Sequence, residues 1–203
     1  MFTIPSMGGA RFNELFKKYA RRAPNGSAIV ELGTWLGAGT RPLCEGVQES
    51  GKDVEIHSYD KFEVRGNEIE KAAQFKVNLK DNQNTLPLVK KWLKEYKVKL
   101  FLHKCEITDQ KWETEKPIFL YIDDACKYKE TFIPALKIFS PYWIPGITII
   151  VLMDFYFYLQ RPNDLKLKFQ KEFIQSHPDN FELITSNVKL STAIFKYKGG
   201  LVL

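Results

Sequence analysis

The sequence predicts an α/β fold: a doubly wound, mostly parallel, seven-stranded Rossmann-like sheet with an antiparallel strand pair at its C-terminal edge. Three observations carry this expectation. Short apolar segments alternate with amphipathic ones along most of the chain, the pattern of strands separated by helices. One segment, "PIFLYID" (117–123), is nearly all apolar, as a strand covered on both faces must be. The last two, "FELITSN" (181–187) and "TAIFKYKG" (192–199), read as a closing antiparallel pair.

In chain order, "RFNELFKKYARR" (11–22) sets Phe12, Leu15, Phe16 and Tyr19 at helical spacing, and "APNG" (23–26) breaks that helix. "SAIVEL" (27–32) is a short buried strand, "GTWLGAG" (33–39) a turn, and the residues through about Glu49 a helix ended by "SGKD" (50–53). "VEIHSYD" (54–60) is a second strand that stops at Asp60. Residues 61–99 are polar and lysine-rich, with a helix near "TLPLVKKWLKEYK" (85–97). Their least regular part, 61–85, reads as an insertion or lid. "VKLFLHKC" (98–105) is a third strand and "PIFLYID" the fourth. "YKETFIPALKIFSP" (128–141) is a helix interrupted or started at Pro134. "GITIIVLMD" (146–154) is the fifth strand and "NDLKLKFQKEFIQSHP" (163–178) is helical. One domain, 1–203, is expected, with 1–26 as an N-terminal helical cap.

With 203 residues, 44% of them hydrophobic, the chain can bury a real core. The net charge of +6 comes from 30 Lys and Arg against 24 Asp and Glu, spread along the sequence without an arginine-rich tract. Such a balance permits a nucleic-acid partner without demanding one, and a small molecule is the expected partner. Cys44, Cys105 and Cys126 form neither a CxxC pair nor a disulfide framework. The N-terminal residues lack the apolar core of a signal peptide, and "GITIIVLMDFYFYL" is shorter than the ~20 residues of a membrane helix. The expected location is cytoplasmic, with no membrane partner; homo-oligomerisation stays open.

The stretch "AIVELGTWLGAGTRP" (28–42) carries most of the functional information. Ligands of open α/β sheets settle at the carboxyl ends of the strands, near the point where the strand order reverses. A loop with Gly33, Gly37 and Gly39, passing through Thr34 and Trp35 to a helix starting near Thr40, suits that place. Its spacing is not GxGxxG, and Glu31 stands two residues before the first glycine. A carboxylate there would repel a pyrophosphate but suits a ligand with an ammonium group. S-adenosylmethionine carries an ammonium and a sulfonium and no phosphate, so it is the cofactor expected, with a nicotinamide dinucleotide as the alternative. Asp60 would accept hydrogen bonds from both ribose hydroxyls, Glu106 in "HKCEIT" would reach an adenine amine, and Asp123 ends the fourth strand on the same edge.

On these residues the chain resembles the class I S-adenosylmethionine-dependent methyltransferases over about residues 27–160, "VELGTWLGAGT" (30–40) being similar to their first motif. Within them it is most similar to small-molecule O-methyltransferases acting on sugar or catechol-like hydroxyls. Their motif after strand four, like I-D-G-D-H-S-Y, has "IDDACKY" (122–128) as its counterpart. Asp123 and Tyr128 match, while Ala125 and Cys126 replace the second aspartate and the histidine. The resemblance implies cofactor contacts from Glu31, Gly33, Thr34, Trp35, Gly37, Gly39, Thr40, Asp60, Glu106 and Asp123. It also implies acceptor-side, catalytic roles for Asp123 and Asp154, the same two residues being the candidate ligands of a Mg²⁺ ion. Met153 and Phe155, the neighbours of Asp154, are poor ligands for that ion.

Methyl transfer to a hydroxyl needs alignment and removal of a proton. Asp154 is the best candidate beside the acceptor, since an acid ending so apolar a strand needs water, a partner or a ligand. Cys126 reads as a packing residue, Lys127 as a solvated one, and His57, His103 and His177 as structural. The aromatic run "DFYFYL" (154–159) is read equally as a pocket wall or as core. "SPYW" (140–143) precedes the fifth strand and is a helix-ending turn, not the N/D-P-P-Y motif of nucleic-acid amino methyltransferases. The expected function is O-methylation of a small hydroxylated acceptor, and the altered "IDDACKY" keeps a non-catalytic cofactor-binding sensor or partner subunit as the alternative.

Overall fold

A computed structural model of the chain describes residues 3–8 and 10–203; the Met1, Phe2 and Gly9 positions of the expected N-terminal cap lie outside the described residues. In chain order the elements are α1 (Asn13–Arg22), β1 (Ala28–Leu32), α2 (Thr40–Ser50), β2 (Glu55–Asp60), α3 (Asn67–Gln74) and α4 (Leu86–Leu93). They continue with β3 (Lys99–Lys104), β4 (Ile118–Asp123), α5 (Lys129–Phe139), β5 (Ile149–Leu152), α6 (Phe169–Ser176), β6 (Phe181–Asn187) and β7 (Thr192–Tyr197). The seven strands form one sheet in the order β3-β2-β1-β4-β5-β7-β6. The first five are parallel, and β7 runs antiparallel to both β5 and β6.

The alternation of side chains along the strands divides the core in two. Val30, Leu32 and Tyr121 point to the face covered by α5 and α6, where they meet Leu136, Phe139 and Phe173. Ile29, Leu120 and Ile122 point to the other face and meet Phe16 and Ala20 of α1 and Leu43 and Val47 of α2. β1 and β4 lie mid-sheet, which is why all five residues of β1 are buried and why "PIFLYID" is apolar. The edge strands are wetter: β3 exposes Lys99, Phe101 and Lys104, and β6 is exposed from Glu182 onward.

Two local readings of the sequence change. Pro134 neither starts nor breaks a helix: α5 runs through it from Lys129. The ring removes the bond that an N–H at 134 would give the Glu130 carbonyl, and Glu130 is exposed, so the loss falls where solvent can reach. The segment 61–85 has structure of its own. It holds α3, is pinned by the Asn82 N–H donating to the Val64 carbonyl at 2.9 Å, and packs Phe62, Val64, Ala72 and Leu79 onto Leu36, Val89 and Leu93 in a third apolar cluster.

Candidate active site

The strand order reverses between β1 and β4, and there the loops after all five parallel strands open a cleft of about 920 Å³. Its N-terminal wall includes Ser6, Arg11 and Phe16, and the segment 61–85 contributes Glu63, Arg65, Asn67 and Glu68.

The first loop is built on contacts that exclude side chains. Gly33 has φ +92°, and a Cβ there would lie 3.0 Å from the Asp124 carbonyl oxygen. The loops after β1 and β4 are laced together by the Asp124 N–H, which donates to the Leu32 carbonyl at 2.9 Å. Trp35 has φ +46° and donates its N–H to Asp60 Oδ2 at 2.7 Å, while the Phe62 N–H donates to Asp60 Oδ1 at 2.6 Å. Asp60 thus clasps the glycine loop with both oxygens and keeps spare lone pairs toward the cleft, which it lines. Burial raises its pKa against these N–H contacts.

Glu31 is 3% exposed, yet its carboxyl lines the cleft. Thr40 Oγ1 donates to Glu31 Oε2 at 2.6 Å, and a Cβ at residue 39 would stand 2.5 Å from Oε1, so any side chain there would force the Glu31 carboxyl to shift. Burial pushes the Glu31 pKa up to about 7; the Thr40 and Ser58 hydroxyls counteract it and Asp60 adds to it. No cation among the described residues pairs with Glu31. A buried carboxylate with neutral partners, facing a cleft, fits a ligand that brings its own positive charge.

Of the residues expected to touch the cofactor, Glu31, Gly33, Thr34, Trp35, Gly39, Asp60 and Glu106 line the cleft. Glu106 is exposed and held by Lys61 Nζ at 2.8 Å. Three others stand behind it. A Cβ at Gly37 would meet Val89 and Leu93 of α4, at 3.1 and 3.3 Å; Thr40 reaches the cleft only through Glu31; Asp123 is 1% exposed. Asp123 Oδ1 accepts from the N–H groups of Ala125 at 3.1 Å and Cys126 at 2.7 Å, so the carboxyl caps the turn after β4. Burial raises its pKa, and those N–H groups pull it back.

The β4 acid that does face the cleft is Asp124. The doublet "IDD" contained it, but choosing between its two acids requires knowing on which residue the strand stops. Asp124 is open to solvent within the cleft; the protein around it and the nearby Asp154 carboxylate push its pKa up. Asp154 also lines the cleft and is bonded to Lys127 Nζ at 2.8 Å. Lys127 is therefore not a solvated lysine. Burial lowers the pKa of its ammonium, but Asp154, Asp124 and Asp123 outweigh this and hold it above the usual lysine value. Its Nζ lies 5.6 Å from the centre of the Phe157 ring. Of the aromatic run, Phe157 walls the cleft and Phe155 is core.

Cys126 is fully buried, its thiol pKa is pushed far up by burial, and its carbonyl accepts from Gln170 Nε2 at 2.8 Å, as suits a packing residue. None of the three histidines lines the cleft. His57 Nδ1 lies 3.1 Å from His103 Nε2, and His177 stacks on Phe173 at 4.3 Å.

A divalent metal on Asp123 and Asp154 would have to displace the Lys127 ammonium from Asp154, and from Asp123 it would find only the buried Oδ2, which has no partner among the described residues, since the backbone holds Oδ1. Among the described residues no group of three His, Cys, Asp or Glu side chains could hold a metal ion.

No protein-family profile matches the chain, and no curated protein matches it in sequence. Solved structures do match in fold. The O-methyltransferase NovP superposes with a TM-score of 0.64 at 14% identity, over 92% of this chain and 79% of that one. The methyltransferase PaMTH1 of Podospora anserina, bound to S-adenosylhomocysteine, gives 0.61 at 15% identity, over 92% and 78%. An rRNA methylase from Streptococcus thermophilus gives 0.54 at 12%, over 91% and 95%. The fold is that of the S-adenosylmethionine-dependent methyltransferases, and the antiparallel β5-β7-β6 edge expected from the sequence is part of it. No helix among the described residues is long and apolar enough to cross a membrane.

Proposed function

We propose that the protein is an S-adenosylmethionine-dependent methyltransferase acting on a hydroxyl of a small acceptor. The observation that carries this is Glu31, a buried carboxyl without a cationic partner at the mouth of β1, in a cleft whose glycine loop suits the cofactor. S-adenosylmethionine would supply an electrophilic methyl group on its sulfonium. Glu31 would receive the cofactor's ammonium, Asp60 its ribose hydroxyls, and Gly33 to Trp35 would lie along it. Asp124, Lys127, Asp154 and Phe157 would face the acceptor. With that methyl group in place, the residues facing the acceptor would align its oxygen with the cofactor, and Asp154 would take the hydroxyl proton and pass it to water.

Charge pairing favours a small acceptor over RNA. Of the five cations that line the cleft among the described residues, Lys61, Arg65 and Lys127 are bonded to Glu106, Glu63 and Asp154, and Arg11 and Lys189 make no ion pair of this kind. A phosphate backbone needs cations free to neutralise it. The test is transfer of labelled methyl to phenols and sugars in parallel with ribosomal RNA. Label on a hydroxyl of a small acceptor supports the reading; label on RNA overturns the acceptor class. Cofactor binding with no transfer across the panel would favour the non-catalytic sensor.

A further inference from the structure

His57 and His103 stand on one face of β2 and β3, outside the cleft, and methyl transfer does not use them. His57 is 6% exposed. Its Nε2 lies 3.3 Å from Glu55 Oε2 and its Nδ1 lies 3.1 Å from His103 Nε2. These partners fix the protons. Burial raises the Glu55 pKa, but Lys116, bonded to Glu55 at 2.9 Å, and His57 outweigh it and keep the group a carboxylate, which only accepts. His57 Nε2 therefore carries a proton, its bare Nδ1 accepts from the His103 Nε2–H, and His103 Nδ1 is the nitrogen left bare. A first added proton can go there and leave the bond intact. A second has to go on His57 Nδ1, where two N–H groups would then face each other.

The segment 105–117 rests on this pair. Trp112 packs at 60° to the His57 ring with centroids 4.8 Å apart. Tyr59, stacked on His103 at 4.3 Å, donates its hydroxyl to the Lys111 carbonyl at 3.3 Å. The same segment begins with Cys105, Glu106, Ile107 and Thr108, which wall the cleft. The titratable and charged groups around the pair are Glu55 and Tyr59 of β2 and Cys105, Glu113 and Lys116 of the segment, with Asp53 3.9 Å behind Lys116. β3 and α5 add the uncharged rings of Phe101 and Phe139. Burial holds both imidazoles below the ordinary histidine value, against Glu55 at His57 and Glu113 at His103.

We propose that the His57–His103 hydrogen bond is an acid-sensitive latch on the segment 105–117: the second proton breaks it, loosens Trp112 and frees the Cys105 to Thr108 wall, so that cofactor affinity falls on acidification. Only the link to the cofactor rests on the methyltransferase reading. The unfolded chain takes up these protons near pH 6.5 and the folded pair does so lower. The stability the latch contributes is therefore complete above about pH 6.5 and is lost as pH falls through the folded values.

Nitrogen-15 NMR of the unliganded protein at pH 7.5 should show both rings protonated at Nε2 and a coupling between His57 Nδ1 and His103 Nε2. Hydrogen exchange, corrected for its intrinsic pH dependence, then follows the amides of Cys105 and Asp109, which are bonded to the Asp60 and Glu106 carbonyls. Between pH 7.5 and 4.5 their protection should fall by about 10-fold or more in wild type, while β1 and β4 keep theirs, and His57→Phe should remove the fall. His103→Gln, whose amide can turn to accept from a protonated His57, should remove it too and serves should His57→Phe unfold. A His57 proton on Nδ1 at pH 7.5, an equal loss in the folded variants, or a loss shared by β1 and β4 overturns the latch. Over the same pH range the affinity for S-adenosylhomocysteine should fall about 10-fold further in wild type than in His57→Phe, since Glu31 contributes equally to both. Equal falls overturn the link to the cofactor. Failure to bind at pH 7.5 would refute the methyltransferase reading and leave the exchange result to decide the latch.

Discussion

Glu31 occupies a position where a charge is costly unless a partner arrives. Its raised pKa, about 7, has a consequence for the unliganded protein. The folded state holds the proton to higher pH than the unfolded chain does, so this stability is fully present below about pH 4.5 and is lost as pH rises through about 7. Glu31→Gln should therefore be more stable than wild type at pH 8, by up to about 3 kcal/mol, and equal to it near pH 4, as denaturant unfolding would reveal. Gly39→Ala probes the same carboxylate from the other side. Its methyl would stand 2.5 Å from Glu31 Oε1, and the displacement should lower stability by about 1–3 kcal/mol and weaken S-adenosylhomocysteine in calorimetry. At this scale the sequence was legible where strand ends are unambiguous. Glu31 and Asp60 could be read because glycine or a polar run follows each strand. Asp124 could not, because a shift of one residue in where β4 stops exchanges a buried turn-capping acid for one in the cleft.

Elements position these residues through a few cross-links. Gln170 of α6 is 2% exposed and donates to the Cys126 carbonyl at 2.8 Å, tying a distant helix to the turn that carries Asp124 and Lys127. Gln170→Leu should leave that carbonyl buried without a donor and lower stability by about 1–3 kcal/mol in denaturant unfolding. The strands were legible as elements because each is apolar or alternating and bounded by turn residues. The course of α5 through Pro134 was not, since a proline costs a helix one bond and the surroundings decide whether that is tolerated. Nor was the structure of 61–85, whose polar residues hide the spaced anchors Phe62, Val64, Ala72 and Leu79. Those anchors act only against Leu36, Val89 and Leu93, a tertiary partner that local pattern does not reveal.

In the whole molecule, the order β3-β2-β1-β4-β5-β7-β6 brings together loops that are far apart in sequence. Glu31, Asp60, Glu106, Asp124 and Asp154 line one cleft because parallel strands present their carboxyl ends on the same side. A ligand held by so many elements binds only the folded state. S-adenosylhomocysteine at about 100 times its dissociation constant should stabilise the fold by about 2.7 kcal/mol and raise the melting temperature by about 5–10 °C, checked by calorimetric scanning. The central claim is that Glu31 selects a cationic amino-acid nucleoside, and titration calorimetry at pH 6 in two buffers of different ionisation enthalpy tests it most directly. Wild type should bind one S-adenosylhomocysteine per chain with release of close to one proton, as the ammonium drives Glu31 to its charged form. Glu31→Gln should release none and bind about 10–100-fold more weakly, and NAD should not bind either protein. Equal affinity for the two proteins without proton release, or a preference for NAD, would contradict the account.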